Sequence, residues 1–393
     1  MIVSLVFSNF YSFKDKTHLS FAVGKKPAST DFDFYIKDQR INKAIAVVGA
    51  NASGKTQFIK PLAFLRWFVC DSFLTKDPED KQMPYYPHRL DLHSPTEIEL
   101  DFFIKDVNYK YYLKLQDGSV LEESLYEKTS TKFSFLFKRE RVDGGFVFKS
   151  KLPFPKKIAE SIRDNVSLIG AAYNYDVKEM EVFVRFFSQI RTNVTCFGRR
   201  RVSFFQAAVK YHQDEKIKNM MVKALRQFDL GLEDVKIKEI EVLSDDEDKP
   251  QKRYMPMGVH KCEASGDVFE LPFLEESNGT RSAFTMIDNI LTVLSNGGIA
   301  VIDEIDEDLH PLLVPVILDW FSDQCINEKK SQLLFTCHTP QILDYFQKHQ
   351  VYICEKYNLC SEAYRIDSLQ GLRSDDNLYA KYLAGAIGGI PEV

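Results

Sequence analysis

The chain has 393 residues, 45% of them hydrophobic and 27% charged, a composition that supports a packed fold and excludes long disordered tracts. Its net charge of −5 excludes any global attraction for nucleic acid, so such a contact would need a local patch. Seven cysteines occur without the C-x-x-C spacing of a zinc or redox site. The amino terminus lacks a basic start and a small-residue cleavage site, and no apolar run nears membrane-spanning length. The expectation is a reduced, cytoplasmic protein with no membrane partner.

In chain order, MIVSLVFSNFYSF and KTHLSFAV alternate in the strand period and predict an opening antiparallel pair. INKAIAVVGA then supplies the short continuous apolar run of a buried parallel strand. After it, Phe58, Leu62, Leu65 and Val69 recur at helical spacing, with Pro61 expected to bend that helix early. A polar, proline-containing stretch from Thr75 to Pro95 reads as a loop. Between Glu97 and Phe148, alternating runs separated by DGS and DGG predict an antiparallel sheet. Residues 150 to 230 are richer in helical patterns, without a sustained heptad, and SDDEDKPQKR reads as a loop. The last third alternates buried strands (GGIAVIDE, SQLLFTCH, QVYICEK) with helices, the α/β pattern. The expected division is 1–150 and 261–393 as two parts of one core, with 151–260 a mainly helical insertion or lid.

Gly49-Ala50-Asn51-Ala52-Ser53-Gly54-Lys55-Thr56 fits G-x-x-x-x-G-K-[ST] between a strand and a helix. There the glycines let successive N–H groups face phosphate oxygens, the helix start adds positive potential, Lys55 reaches the β- and γ-phosphates and Thr56 contacts Mg²⁺. In GGIAVIDEIDEDLHP, a buried strand delivers Asp303 and Glu304 to its carboxyl edge, where ligands sit in an α/β sheet. Asp303 is the candidate Mg²⁺ holder and Glu304 the group that polarises the attacking water. A Ser-x-Gly-Thr turn in EESNGTRSAF can present a hydroxyl and N–H groups to phosphate, and His338 closes the next strand. CFGRRRVSF places Arg199, Arg200 and Arg201 between aromatics, a solvated run or a local patch for nucleic acid or an acidic partner.

The order of phosphate loop, serine turn, hhhhDE strand and strand-ending histidine resembles the ABC-type ATPases of the SMC and RecF kind, and SNFYSFKDKTHLSF is similar to their opening strand pair. Within that group SNGTRS, DEIDEDLHP, CHTP, EKYN and the YLAGAIGGIP stretch look most like stand-alone bacterial anti-phage ATPases, the AbiL and RloA-like abortive-infection proteins. The resemblance implies an α/β ABC-type ATPase head with a mixed or parallel core sheet around the phosphate loop, an antiparallel β lobe and a helical insertion. It implies ATP and Mg²⁺ as cofactors, Glu304 and His338 as catalytic groups, and Gly49, Asn51, Ser53, Gly54, Lys55 and Thr56 as the cis half of the nucleotide site. Ser277, Asn278 and Gly279 become signature residues that touch ATP on a second copy, so that two chains sandwich two nucleotides, and Asp306 becomes a candidate for the seam loop. Gln57 departs from the commoner Asn, and no Q-loop glutamine stands in YYPHRLDLHSP. The implied role is a switch controlling a separately encoded toxic effector such as a nuclease; the alternative is a RecF-like repair ATPase that binds DNA directly.

Overall fold

The run AIAVV (Ala44–Val48) is apolar on both sides because both are covered. In the computed structural model, which describes residues 1–393 except 76–82, 200–202, 229–230, 243–250, 308–312, 374 and 391–393, it is an inner strand of a six-stranded sheet. The order across that sheet is Ile190–Thr192, Ile299–Ile302, Gln332–Thr336, Ala44–Val48, Val351–Tyr357 and Cys360–Arg365. All neighbours are parallel except the last strand, which folds back antiparallel as a hairpin.

Successive side chains of these strands enter two different cores, as a period of two requires. Ile45, Val47, Ile299, Val301 and Leu334 face one core, which also holds the helix Lys55–Cys70 and the antiparallel lobe. Ala44, Ala46, Val48, Ala300, Ile302, Leu333 and Phe335 face the other. That second core is closed by the helices Phe204–Gln213, Glu215–Gln227, Asn278–Asn296 and Leu313–Ser322.

The antiparallel lobe is a seven-stranded sheet in the order Gly145–Ser150, Phe133–Val142, Ser119–Lys128, Val107–Gln116, Thr96–Ile104, Ile2–Ser8 and Thr17–Ser20. Its last two strands are the expected opening pair, in register from Ser4 opposite Ser20 to Phe7 opposite Thr17. Gln332 ties the lobe to the parallel sheet: its Oε1 accepts from the Ile2 amide at 2.7 Å and its Nε2 donates to the Ile2 carbonyl at 2.9 Å.

Two segments hold detail beyond the local patterns. Pro61 lies within one continuous helix, Lys55–Cys70, at the cost of a single main-chain hydrogen bond. The segment 151–260 carries helices but also a strand, Ile190–Thr192, that completes the edge of the parallel sheet, and two long strands, Asp234–Val242 and Gln251–Lys261. The long pair joins Val268–Pro272 in a three-stranded antiparallel sheet.

Candidate functional site

The phosphate loop leaves the strand Ala44–Val48 at its carboxyl end and enters the helix Lys55–Cys70 through Gly54, whose φ of 108° is left-handed. Glycine is required at both ends of the loop. Gly49 also has a positive φ, 152°, and a Cβ there would collide with the Cys354 carbonyl. The helix has no acidic residue in its first turn and no side-chain cap, which leaves its first N–H groups without an internal partner. Lys55 is 7% exposed, and its Nζ donates to the carbonyls of Gly49 at 2.8 Å and Ala50 at 3.0 Å, spanning the loop from inside. Burial lowers the Lys55 ammonium below its ordinary range.

Parallel pairing brings the second element to the first. Ile302 lies opposite Phe335, so Asp303 and Thr336 emerge side by side from adjacent strands. Thr336 Oγ1 donates to Asp303 Oδ1 at 2.7 Å and accepts from the Glu304 amide at 2.7 Å, while Thr56 Oγ1 donates to Asp303 Oδ2 at 2.9 Å. From the other side Asn193 clamps the Asp303 main chain: its Nδ2 donates to the carbonyl at 2.9 Å and its Oδ1 accepts from the amide at 2.8 Å. Asp303 is thus buried, fixed in position and in direct contact with the phosphate-loop threonine.

Glu304 takes a positive φ of 50°, rare outside glycine, as the chain turns out of the strand at this residue. Its Oε1 accepts from His338 Nε2 at 3.1 Å and its Oε2 from Arg199 Nη1 at 2.8 Å. Burial pushes the carboxyl up, but the hydrogen bonds and charges of Arg199 and His338 outweigh it and hold Glu304 below the usual carboxylate range. His338 is placed by Asp306, whose Oδ2 accepts from the amides of His338 at 2.9 Å and Thr339 at 2.8 Å.

Asn51 through Gln57, Asp303, Glu304 and His338 line one cavity of about 660 Å³. The structure therefore brings Lys55, Thr56, Asp303, Glu304 and His338 to one place. It does not bring Ser277, Asn278 and Gly279 there: none of them lines that cavity. Ser277 instead caps the helix Asn278–Asn296, its Oγ accepting from the Thr280 amide at 3.1 Å, and both Ser277 and Asn278 are exposed. Arg199, expected in a basic patch for nucleic acid, is drawn into ion pairs with Glu304 and Glu307. Arg200 and Arg201 lie outside the described residues.

Sequence reasoning missed Asn193 and Thr336, and singled out Arg199 only as part of a basic run, not as a partner of Glu304. Thr336 had a signal, a polar residue ending a strand beside the carboxylate strand. Asn193 and the Arg199–Glu304 contact had none, because these residues act from the bend after the strand Ile190–Thr192 and from a short hairpin, Val194–Thr195 with Gly198–Arg199, more than 100 positions from their partners in sequence.

Residues 44–344 match the profile of the family described as "AAA domain, putative AbiEii toxin, Type IV TA system". The chain belongs to this family. As a member of this AbiEii-type AAA family, with the two motifs assembled in one cavity, it is an AAA-type ATPase. Among solved structures it is similar to an Smc head bound to the C-winged helix domain of ScpA, with 12% identity and a TM-score of 0.45 over 93% of this chain and 99% of that one. It is also similar to an Smc head with an extended coiled coil bound to the C-terminal domain of ScpA derived from Pyrococcus furiosus, with 12% identity and a TM-score of 0.41 over 93% of this chain and 97% of that one. No curated protein matches the sequence. Among the described residues, no helix is long and apolar enough to cross a membrane.

Proposed function

We propose that this AbiEii-type ATPase is a Mg²⁺-dependent switch that closes as a homodimer around ATP and controls a separately encoded toxic effector in bacterial anti-phage defence. The observation that carries the reading is a half-built site. Lys55, Thr56, Asp303, Glu304 and His338 line one wall, while the Ser277 helix start is exposed and outside it. A second copy placing its Ser277, Asn278 and Gly279 over that wall would complete the enclosure.

The residues fit the ligands. Uncapped N–H groups of the phosphate helix, the buried Lys55 and the Ser53 hydroxyl, which is buried without a hydrogen-bond partner among the described residues, suit a polyphosphate. Thr56 and Asp303, already in contact, would hold Mg²⁺, which supplies charge neutralisation at the β- and γ-phosphates. Glu304 would orient and deprotonate the attacking water, and His338 would hydrogen-bond the γ-phosphate. The two-copy arrangement makes nucleotide a selector of the joined state, since it contacts both halves only there. The effector and defence parts of the reading rest on the toxin–antitoxin family and on the resemblance to abortive-infection ATPases.

The test is sedimentation with and without ATP and Mg²⁺. Glu304→Gln should give a long-lived ATP-dependent dimer and lower turnover by about 10² or more. Ser277→Arg should remain monomeric in both conditions while still binding ATP. A Glu304→Gln protein that stays monomeric with ATP rejects the sandwich.

A further inference from the structure

A second cavity, of about 550 Å³, lies between the carboxyl half of the phosphate helix, the edge strand Ile190–Thr192 and the hairpin that carries Arg199. Among the described residues three cationic side chains line it, Arg66, Arg191 and Lys210, and no carboxylate does, in a protein whose net charge is −5. Arg66 and Lys210 have partners set back from the cavity wall: Asp71 at 3.0 Å from Arg66, and the buried Asp288 for Lys210. Arg191 differs. Its Nε is buried and has no hydrogen-bond partner among the described residues. A buried guanidinium N–H without an acceptor is unfavourable and would be satisfied by an anion in the cavity. Burial lowers the Arg191 guanidinium below its ordinary range, Asp288 offsets part of that, and the nearby Arg66 charge adds to it.

The remaining lining selects the kind of anion. Trp67 is half-buried in the wall, and Phe197 stands 83% exposed at the tip of the hairpin. An isolated aromatic ring this exposed loses nothing by stacking on a planar ligand. Asn289 brings an amide group to the same cavity, able to donate to and accept from a base edge. The volume is in the range that small-molecule sites occupy.

We infer that this cavity is a second ligand site, separate from the phosphate loop, that binds a nucleotide: phosphate on Arg191 with Arg66 and Lys210, base between Trp67 and Phe197. Two of its walls are continuous in the chain with residues that hold Asp303 and Glu304. The strand forming its wall continues directly into Asn193, which clamps Asp303, and the hairpin bearing Phe197 also bears Arg199, which holds Glu304.

The experiment is calorimetric titration of full-length Lys55→Ala protein, in which the phosphate loop is disabled, with the four ribonucleoside monophosphates, inorganic phosphate and a short single-stranded oligonucleotide. At least one mononucleotide should bind saturably with a Kd of roughly 1–100 μM, and inorganic phosphate at least roughly tenfold more weakly. Adding Arg191→Gln or Phe197→Ser should weaken the mononucleotide by roughly tenfold or more. Phe197 is exposed, so Phe197→Ser decides the matter even if Arg191→Gln fails to fold. The inference is overturned by no saturable mononucleotide binding up to roughly 5 mM, by binding that Phe197→Ser leaves unchanged, by phosphate binding as tightly as the nucleotides, or by binding confined to the oligonucleotide.

Discussion

Arg199 Nη1 donates to Glu304 Oε2 at 2.8 Å, so the carboxylate proposed as base is held by a cation from a hairpin outside both nucleotide motifs. The same guanidinium pairs with Glu307, which leaves it between two acidic side chains.

Replacing Arg199 with Ala should release Glu304. Its carboxyl, now held below the usual range, should titrate nearer the ordinary value, so the acid limb of the ATPase pH profile should move to higher pH. The linkage has the same sign: a depressed folded value stabilises above the ordinary carboxylate range, and this is lost as pH falls through the folded value. With the Glu304 side chain 35% exposed, solvent screening limits the stability term to at most about 1 kcal/mol. A profile of turnover against pH for both proteins checks the shift; coincident acid limbs would contradict it.

Thr336→Val should damage site and fold together. The substitution keeps the shape but removes the donor to Asp303 and the acceptor for the Glu304 amide, both at a fully buried position. Leaving those groups unpaired should cost about 1–3 kcal/mol in urea unfolding and reduce turnover, and Thr336→Ser should restore both. Unchanged stability in Thr336→Val would show that the hydroxyl is dispensable.

The antiparallel lobe holds a different kind of vulnerability. Arg139 and Glu123, opposite each other on paired strands, are both fully buried and joined at 2.7 Å. The Glu123 carboxylate also accepts from the Tyr111 hydroxyl at 2.8 Å and the Ser167 hydroxyl at 2.9 Å. Arg139→Met would strand that charge and should destabilise the protein by about 3–5 kcal/mol. The double variant Arg139→Met, Glu123→Leu should recover part of the loss, because no lone charge then remains. Denaturant midpoints of the two variants provide the comparison.

Acid should weaken the fold through His349. This side chain is 2% exposed and its Nε2 has no hydrogen-bond partner among the described residues. Burial, with Arg365 and Arg40 adding repulsion, brings it down from 6.5 to about 4. The unfolded chain takes up a proton first, so stability present above pH 6.5 should fall as pH drops toward 4, by an amount on the order of 1–3 kcal/mol. His349→Leu should flatten that slope in thermal midpoints measured across the same window.

The elements that place the phosphate loop were legible because each carries a local signature. Ala44–Val48 and Ile299–Ile302 are unbroken apolar runs, and the loop between strand and helix has a spacing that backbone geometry demands. The long strands Asp234–Val242 and Gln251–Lys261 were harder to see: the first alternates as a strand should but runs into an acidic stretch that reads as loop, and the second is interrupted by Pro256 and Gly258. Nor was the role of Arg199, whose charge reads as a solvated run until the hairpin turns it toward Glu304. Pairwise contacts between distant segments depend on sheet order, which local periodicity does not encode.

Sheet order also governs when the protein becomes an ATPase. The strand that launches the phosphate loop is flanked by Gln332–Thr336 and Val351–Tyr357, both made some hundreds of residues later. A nascent chain emerging from the ribosome holds the nucleotide motif early but has neither neighbour to seat it, so such long-range pairing must await the synthesis of those two strands. Synthesis interrupted before that point yields polypeptides carrying an intact glycine–lysine–threonine sequence and no working engine.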